Sequence, residues 1–487
     1  MPTVPSRVGA RVRKTYDVFP PGLDAETRLG LRGHLEANPI LADTTVSIVM
    51  PTYNRAAQIG DAIDSVVAQT HTDWELLVID DGSDDETSAA MVRYAADERI
   101  RFVQNGRGGV SSARNAGLEL ASGSVIAFLD TDNSWDPEFL ALMVAELDRS
   151  GSPIGYSAMQ SRQNGSVVYY RGDRFDLDEM QSGNYVDLNV LCHRRHLVDD
   201  GARFDTELRR MVDWDYLLNI SRGRDVAFAP FIGATYELHN SEDQISTREP
   251  YLYRKVISAR HDAGGPSCAH HDARTTIQNL TLDFAVCLSA PRDKRNAWGD
   301  HHFGVGLAQA LERRGHNTHV YYHDEKVGRK HDVMISLRGL TGHERPPNAL
   351  HVMWSISHPE LLTWDDIDRC DIFFSASFTW PRFLDWVSEK PHHVLPQATD
   401  RARFHPHVDR TRNDEVLFVG NSRQEDRPMV TGAAAIGLPL SVYGGGWHDR
   451  VPDAMIKGEY LPNEELSRRY ASSGLVLNDH WDSMRDF

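Results

Sequence analysis

The stretch VIAFLDTDNSWDP, residues 125–137, decides how the first half of this chain is read. Val125 to Leu129 form a continuous apolar run, the pattern of a strand buried on both faces of a parallel sheet. Asp130 and Asp132 then stand at its carboxyl end, the edge of an open α/β sheet where ligands bind. Two readings follow: the acids hold a metal, or they begin the helix that Pro137 announces.

Outward from this strand the texture is β-α alternation. VSIVMPTYN from Val46 predicts a strand, AQIGDAIDSVVAQ a helix, and WELLVIDDGS a second strand ending in acids and glycine. SAAMVRYAAD, IRFVQN and VSSARNAGLELA continue as helix, strand and helix, which implies a parallel sheet with right-handed crossovers. Residues 1–44 are expected to be an N-terminal extension packed on this domain, with one helix, DAETRLGLRGHLEAN, capped by Asp24. Beyond Gly155 the pattern loosens into a mixed region. SVVYYRG and YVDLNVLCHRRHLVDDG read as strands, VDWDYLLNISRG as a helix and VAFAPFIGATYELH as a last strand.

These patterns divide the chain into a first domain at 45–245, a linker at 246–280 that includes a helical YLYRKVISARHDAG, and a second α/β domain at 281–412. A third set of elements occupies 413–487 and is short for a complete doubly wound unit, so the last domain is expected to be partial. A length of 487 residues suits two to four such domains.

Acidic residues outnumber basic ones 70 to 52, for a formal charge of -18, which argues against a dominant electrostatic grip on nucleic acid. An anionic substrate would then need a local cation. The cysteines Cys192, Cys268, Cys287 and Cys370 match no C-x-x-C spacing, so plain thiols in a reducing cytoplasm are expected. No apolar run long enough for a transmembrane helix occurs, and the first residues lack the apolar core of a signal peptide. Arg11, Arg13 and Lys14 leave room for peripheral membrane contact, although three bases are usually a solvated face.

Four polar strand ends gather on one edge of the inferred sheet: PTYNR (51–55), DDGS (80–83), ARNAG (113–117) and DTDN (130–133). Helix N-termini and a divalent ion at such an edge offset the charge of a nucleotide diphosphate. In this order and spacing the segments resemble the family 2 glycosyltransferases of the GT-A fold, a likeness that covers about residues 45–245. The resemblance implies transfer of a sugar from a nucleotide-diphosphate sugar. It places Pro51, Thr52, Tyr53, Asn54, Arg55, Asp80, Asp81, Arg114, Asp130 and Thr131 around the nucleotide sugar, with Asp132 binding Mn²⁺ or Mg²⁺. The chemistry suits those residue types, because a carboxylate-held cation stabilises the charge left on the departing diphosphate.

An acceptor hydroxyl must also lose its proton, which calls for a second carboxylate across the sugar. RRMVDWDYLLNI is similar to the family's acidic motif, whose central acid is the inverting base, and the match falls on Asp213, with Asp215 as a further acid. Val212 departs from the glutamate often found there, and the competing reading is that Asp213 only caps the helix. His239, in YELHNSEDQIS, matches a position near the metal or diphosphate in similar enzymes, with Ser241 and Ser246 on the adjoining loop. Trp135 and Trp214 are read either as stacking surfaces for the acceptor sugar or as core.

Residues 282 to the end resemble GT-B glycosyltransferases, in which the loop here running from Gly420 to Arg423 faces the donor diphosphate and a basic group, here Arg423, replaces the metal. The expected architecture is therefore α/β: a GT-A domain followed by Rossmann-like GT-B-type domains, the last incomplete. The expected activity is metal-dependent inverting glycosyl transfer from a nucleotide-diphosphate sugar to a glycan, lipid-linked or other hydroxyl acceptor, in the cytoplasm or at a membrane surface. Two alternatives stay open: a sugar-1-phosphate nucleotidyltransferase, which the PTYNR loop disfavours, and a glycan-binding or scaffolding role for the second module.

Overall fold

The computed structural model describes residues 14–41, 44–238, 252–262, 280–328, 331–346, 349–357, 361–377, 384, 391–398, 404–405, 412–422, 425 and 427–478. The chain divides into two compact units, Met1–Leu280 and Thr281–Phe487.

The first unit is built on one mixed ten-stranded sheet. Its strands are β1 (Thr15–Tyr16), β2 (Val46–Thr52), β3 (Trp74–Asp80), β4 (Ile100–Gln104), β5 (Val125–Phe128), β6 (Asn133–Trp135), β7 (Ile154–Gln163), β8 (Ser166–Arg171), β9 (Leu191–Arg194) and β10 (Val226–Glu237). The order is β1-β8-β7-β9-β5-β2-β3-β4, with β10 pairing β7 and β6. β5, β2, β3 and β4 run parallel. Both faces of this part are covered, which is why β2 and β5 are buried at every position and read as unbroken apolar runs. Gly117 lets the helix Val110–Leu120 lie against β2, since a Cβ there would stand 2.4 Å from Val49 Cγ1.

The mixed half follows from the turn after β5. The acids of DTDN do not begin a helix: the chain turns, with Asn133 N donating to Asp130 O at 3.1 Å, and runs as β6 antiparallel to β10. The helix starts only at Phe139, after Asp136 has accepted the Glu138 N–H at 3.0 Å. β9 lies antiparallel between β5 and β7. Only Leu191–Arg194 of the predicted strand YVDLNVLCHRRHLVDDG is extended. Asp187 caps a 3₁₀ turn at Leu188–Val190 just before it.

Two further expectations need correcting. Asp24 does not cap the N-terminal helix, Pro21–Ala37, which starts behind Pro20. Asp24 instead accepts the Ile232 N–H at 2.8 Å and pairs with Arg28 at 3.0 Å, tying the helix to β10. The segment read as a linker also carries core: in the helix Leu252–Asp262, Val256 and Ile257 are fully buried in the same apolar cluster as β2 and β5. Its spacing of apolar residues is that of a helix with one face against a domain, and such a face does not stay in solvent.

The second unit holds two parallel sheets. One comprises β11 (Asp283–Leu288), β12 (Asn317–Tyr321), β13 (Val333–Arg338), β14 (Leu350–Ser355), β15 (Ile372–Ser375) and β16 (His392–Val394), in the order β12-β11-β13-β14-β15-β16. The other comprises β17 (Val416–Val419), β18 (Leu440–Tyr443), β19 (Ile456–Gly458) and β20 (Leu475–Val476), in the order β19-β18-β17-β20. Both orders reverse direction beside their first strand, which is the topology of Rossmann-like sheets. Among the described residues, no helix is long and apolar enough to cross a membrane.

Candidate functional site

Strand ends β2, β3 and β5 bring the predicted donor residues to one edge. After β2, Thr52 is buried and its Oγ1 has no protein partner, while Tyr53 is exposed. Asn54 adopts a left-handed backbone (φ 51), which asparagine tolerates. Its amide locks the loop by exchanging bonds with Asp84, donating to Oδ1 at 2.7 Å and accepting the Asp84 N–H at 2.9 Å. After β3, Asp80 accepts from the Ser83 N–H and hydroxyl at 3.1 and 2.5 Å. Asp81 accepts the Gly108 and Gly109 N–H groups at 2.9 and 2.7 Å, which fixes the loop entering the helix Val110–Leu120. Arg107, on that loop, donates to the Tyr53 hydroxyl.

The same helix presents Arg114, which is buried over the Phe204 ring and donates to Asp130 Oδ1 at 2.7 Å. Asp130 is held on its other side by Asn189: its N–H donates to Asn189 Oδ1 at 2.6 Å, and Asn189 Nδ2 approaches Asp130 Oδ2 at 3.3 Å. Thr131 is buried. Asp132 accepts from Asn133 Nδ2 at 2.8 Å, but burial and the neighbouring Asp130 charge push its carboxyl up to about 6, with Asp187 adding to the effect and Arg55 opposing it. Asn133 Oδ1 is buried beside it without a protein partner.

Asp132, desolvated and near the Asp130 charge, sits beside an unpaired carbonyl oxygen, and this hard-oxygen set is one that a divalent ion would relieve, so the residues fit such an ion. Among the described residues no three His, Cys, Asp or Glu side chains already form a metal cluster. His239, Ser241 and Ser246 lie outside the described residues.

Asp213 stands in the first turn of the helix Val212–Ser221, whose N-cap is Met211. Its Oδ2 accepts from Asn184 Nδ2 at 2.8 Å, and the Trp214 N–H also bonds its carboxylate. Burial raises its carboxyl above the ordinary 3.8, helped by Asp187, while Arg171 and Arg114 pull it down. The influence of Asp187 on both Asp132 and Asp213 puts the two acids in one electrostatic neighbourhood. Tyr236, on β10, joins it: its hydroxyl is raised by burial and by Asp132, Asp187 and Asp130.

Asp215 does not join them. It is 1% exposed, and Arg260 and His261 approach its Oδ1 at 3.2 and 3.0 Å, with Asn219 at Oδ2 at 3.2 Å. Its carboxylate is occupied in anchoring the helix Leu252–Asp262, so the expectation of a further acid at the site is corrected. Trp135 and Trp214 are core, at 5% and 2% exposure, and their indole N–H groups donate to Asn189 O and Met180 O at 2.6 and 2.7 Å. Sequence reading missed Asn184, Asp187, Asn189 and Arg171. The only local signal was the D-x-N of VDLN, a pattern that caps a short turn.

In the second unit Gly420 follows β17, and its carbonyl accepts from Trp447 Nε1 at 2.7 Å. The loop after β18 interlocks with it: Gly445 N donates to Asn421 Oδ1 at 2.7 Å, and a Cβ on Gly444 (φ 140) would fall 2.1 Å from Gly420 O. Arg423 lies outside the described residues.

Comparison with known proteins identifies the family. Residues 47–206 match the model for Glycosyl transferase family 2. The chain is 31% identical over 180 residues to a PGL/p-HBAD biosynthesis glycosyltransferase of Mycobacterium bovis, covering 36% of this chain and 69% of that protein. It is 38% identical over 127 residues to the UDP-Glc:alpha-D-GlcNAc-diphosphoundecaprenol beta-1,3-glucosyltransferase WfgD of Escherichia coli, covering 26% of this chain and 50% of that protein. The chain thus spans half the length of that relative, and 21% of an uncharacterized glycosyltransferase of Rickettsia felis. The solved structure of S. aureus TarS 1-349 with UDP-GlcNAc aligns at 20% identity and a TM-score of 0.39, over 48% of this chain and 70% of that one. With its family-2 segment on the strand edge that carries Asp130 and Asp132, the chain belongs to glycosyl transferase family 2.

Proposed function

We propose that the first unit transfers a sugar from a nucleotide-diphosphate sugar to a hydroxyl acceptor, with inversion and with the help of a divalent ion. The observation that carries this reading is the meeting of two differently built acid sites at one sheet edge. Asp130 and Asp132 crowd together after β5, and Asp213 stands apart on a helix with its own amide partner.

The roles follow from the surroundings. Pro51, Thr52, Tyr53, Asn54 and Arg55, with the loops fixed by Asp80 and Asp81, line the pocket for the base and ribose. Arg114 and Asn189 hold Asp130 in one orientation toward the donor ribose, with Thr131 behind it. Asp132 and His239 would hold Mn²⁺ or Mg²⁺, with the Asn133 carbonyl oxygen close at hand. When bound, the ion supplies charge neutralisation for the departing nucleotide diphosphate.

Asp213 takes the proton from the acceptor hydroxyl, whose oxygen attacks the anomeric carbon on the face opposite the nucleotide. Its burial suits the task, because a carboxylate raised above its ordinary value is a stronger base. The acceptor is a glycan, a lipid-linked sugar or another hydroxyl compound. In the second unit, the Gly420 loop and Arg423 would face a second donor diphosphate, which makes the chain a pair of transferase modules able to act on one growing glycan.

The test is nucleotide release from UDP-glucose, UDP-N-acetylglucosamine and GDP-mannose, each with Mn²⁺ and with EDTA. Metal-dependent release of nucleoside diphosphate supports the reading. Formation of pyrophosphate and sugar phosphate would replace it with nucleotidyl transfer.

A further inference from the structure

We propose that Asn184 is a positioning residue for the acceptor base: the short segment from Asn184 to Asn189 is a strap whose first residue aims Asp213 and whose last residue holds Asp130. The proposal rests on the reading of Asp213 as that base.

The orientation of the Asn184 amide is set by its surroundings. Its Oδ1 accepts the Val186 N–H at 3.0 Å, so the NH₂ group must be the part that faces Asp213 Oδ2, at 2.8 Å. The strap cannot drift, because Tyr185 and Val186 are buried and Arg171 grips its backbone. Arg171 Nη2 donates to Asn184 O at 3.0 Å and to Val186 O at 3.4 Å, while Nη1 reaches Asp187 Oδ2 at 3.4 Å.

Asp187 Oδ1 accepts from both the N–H and the side-chain amide of Asn189, at 3.0 and 2.8 Å. That leaves Asn189 with its amide oriented toward Asp130. The bonds run without a break from Arg114 through Asp130, Asn189, Asp187, Arg171 and Asn184 to Asp213. A base works only from a fixed position within hydrogen-bond reach of the proton it takes, and here one rigid turn fixes that position relative to the donor acid.

The experiment measures steady-state nucleotide release with Mn²⁺ from whichever of UDP-glucose, UDP-N-acetylglucosamine or GDP-mannose the full chain turns over, in Asn184→Ala, Asn184→Asp, Asp213→Asn and the double variant Asn184→Ala/Asp213→Asn. Asn184→Asp keeps the side-chain size and the oxygen that accepts Val186 N–H while removing the donor, so it serves if the alanine variant fails to fold. Loss of one hydrogen bond to a charged group predicts a kcat lower by roughly ten- to a hundred-fold, with KM for the donor within about twofold of wild type. In the Asp213→Asn background, Asn184→Ala should add less than about twofold, because the group it aims is already gone.

Unchanged kcat in both Asn184 variants, or losses that simply multiply in the double variant, would overturn the proposal while leaving Asp213 as base. Full turnover by Asp213→Asn, or no turnover of any of the three donors by wild type, would remove the underlying reading and the proposal with it.

Discussion

Arg114 closes on Asp130 at 2.7 Å from above the face of Phe204, so the first acid of DTDN is already paired while the second, Asp132, has no comparable ion pair among the described residues. Arg114→Gln should leave Asp130 and Asp132 facing each other with less compensation. Donor affinity with Mn²⁺, read by calorimetry, is expected to fall by about tenfold or more, the worth of a charge-assisted bond. Wild-type affinity in that variant would show that the pair serves packing alone.

Asp132 gives a pH prediction whose sign is fixed. Its folded-state carboxyl is raised to about 6 from the ordinary 3.8, chiefly by burial and then by Asp130. The folded chain therefore holds the extra proton between those values, and stability contributed by protonated Asp132 is lost as pH rises through that window. Asp132→Asn should raise the melting temperature of the metal-free protein by roughly 2–4 °C at pH 8 and leave it unchanged near pH 4. Protons and Mn²⁺ compete for the same carboxylate, so Mn²⁺ affinity should weaken as pH falls below about 6.

For Asp213 the readout is the acidic limb of the kcat profile. A base must be ionised, and burial holds this carboxyl above 3.8, so turnover should fall at a higher pH than an ordinary aspartate would give. Arg171 is the foremost of the groups pulling the other way, and Arg171→Gln should move that limb further up in pH. A limb that does not move would remove Arg171 as an electrostatic partner of Asp213.

Asp215 is expected to act on stability. Asp215→Ala removes the buried carboxylate that His261 shares with Arg260, leaving Arg260 its second pairing with Asp205, and breaking a buried ion pair costs about 3–5 kcal/mol. Urea denaturation of the variant should show that loss, with donor affinity retained in the fraction that stays folded. Full stability together with lost turnover would return Asp215 to the site.

Much of this was legible in the chain before any coordinates. The unbroken apolar runs of β2 and β5 could only be strands covered on both faces, and the polar ends PTYN, DDGS and DTDN had to share an edge once those strands were parallel. Helical geometry also bears on Asp213 and Asp215: residues two apart point to nearly opposite sides, so they were poorly placed to serve one site. What stayed hidden was the strap. Asn184, Asp187 and Asn189 acquire their partners only when the chain between β8 and β9 folds back past both acids, and nothing in the local pattern of NYVDLN records that return. The helix Leu252–Asp262 was visible as a helix, but not its docking, because that depends on Asp205 and Asp215 far earlier in the chain.

Asp132 and Asp213 are proposed to do different work in one transfer: one on the donor side, one on the acceptor. The most direct measurement pairs donor binding with turnover in Asp132→Ala and Asp213→Asn, using a turned-over nucleotide sugar with Mn²⁺. Asp132→Ala is expected to lose Mn²⁺-dependent donor binding, while Asp213→Asn should bind donor as wild type does and lose turnover by about a hundredfold or more. Turnover retained in Asp213→Asn, or Mn²⁺-dependent binding retained in Asp132→Ala, would contradict it.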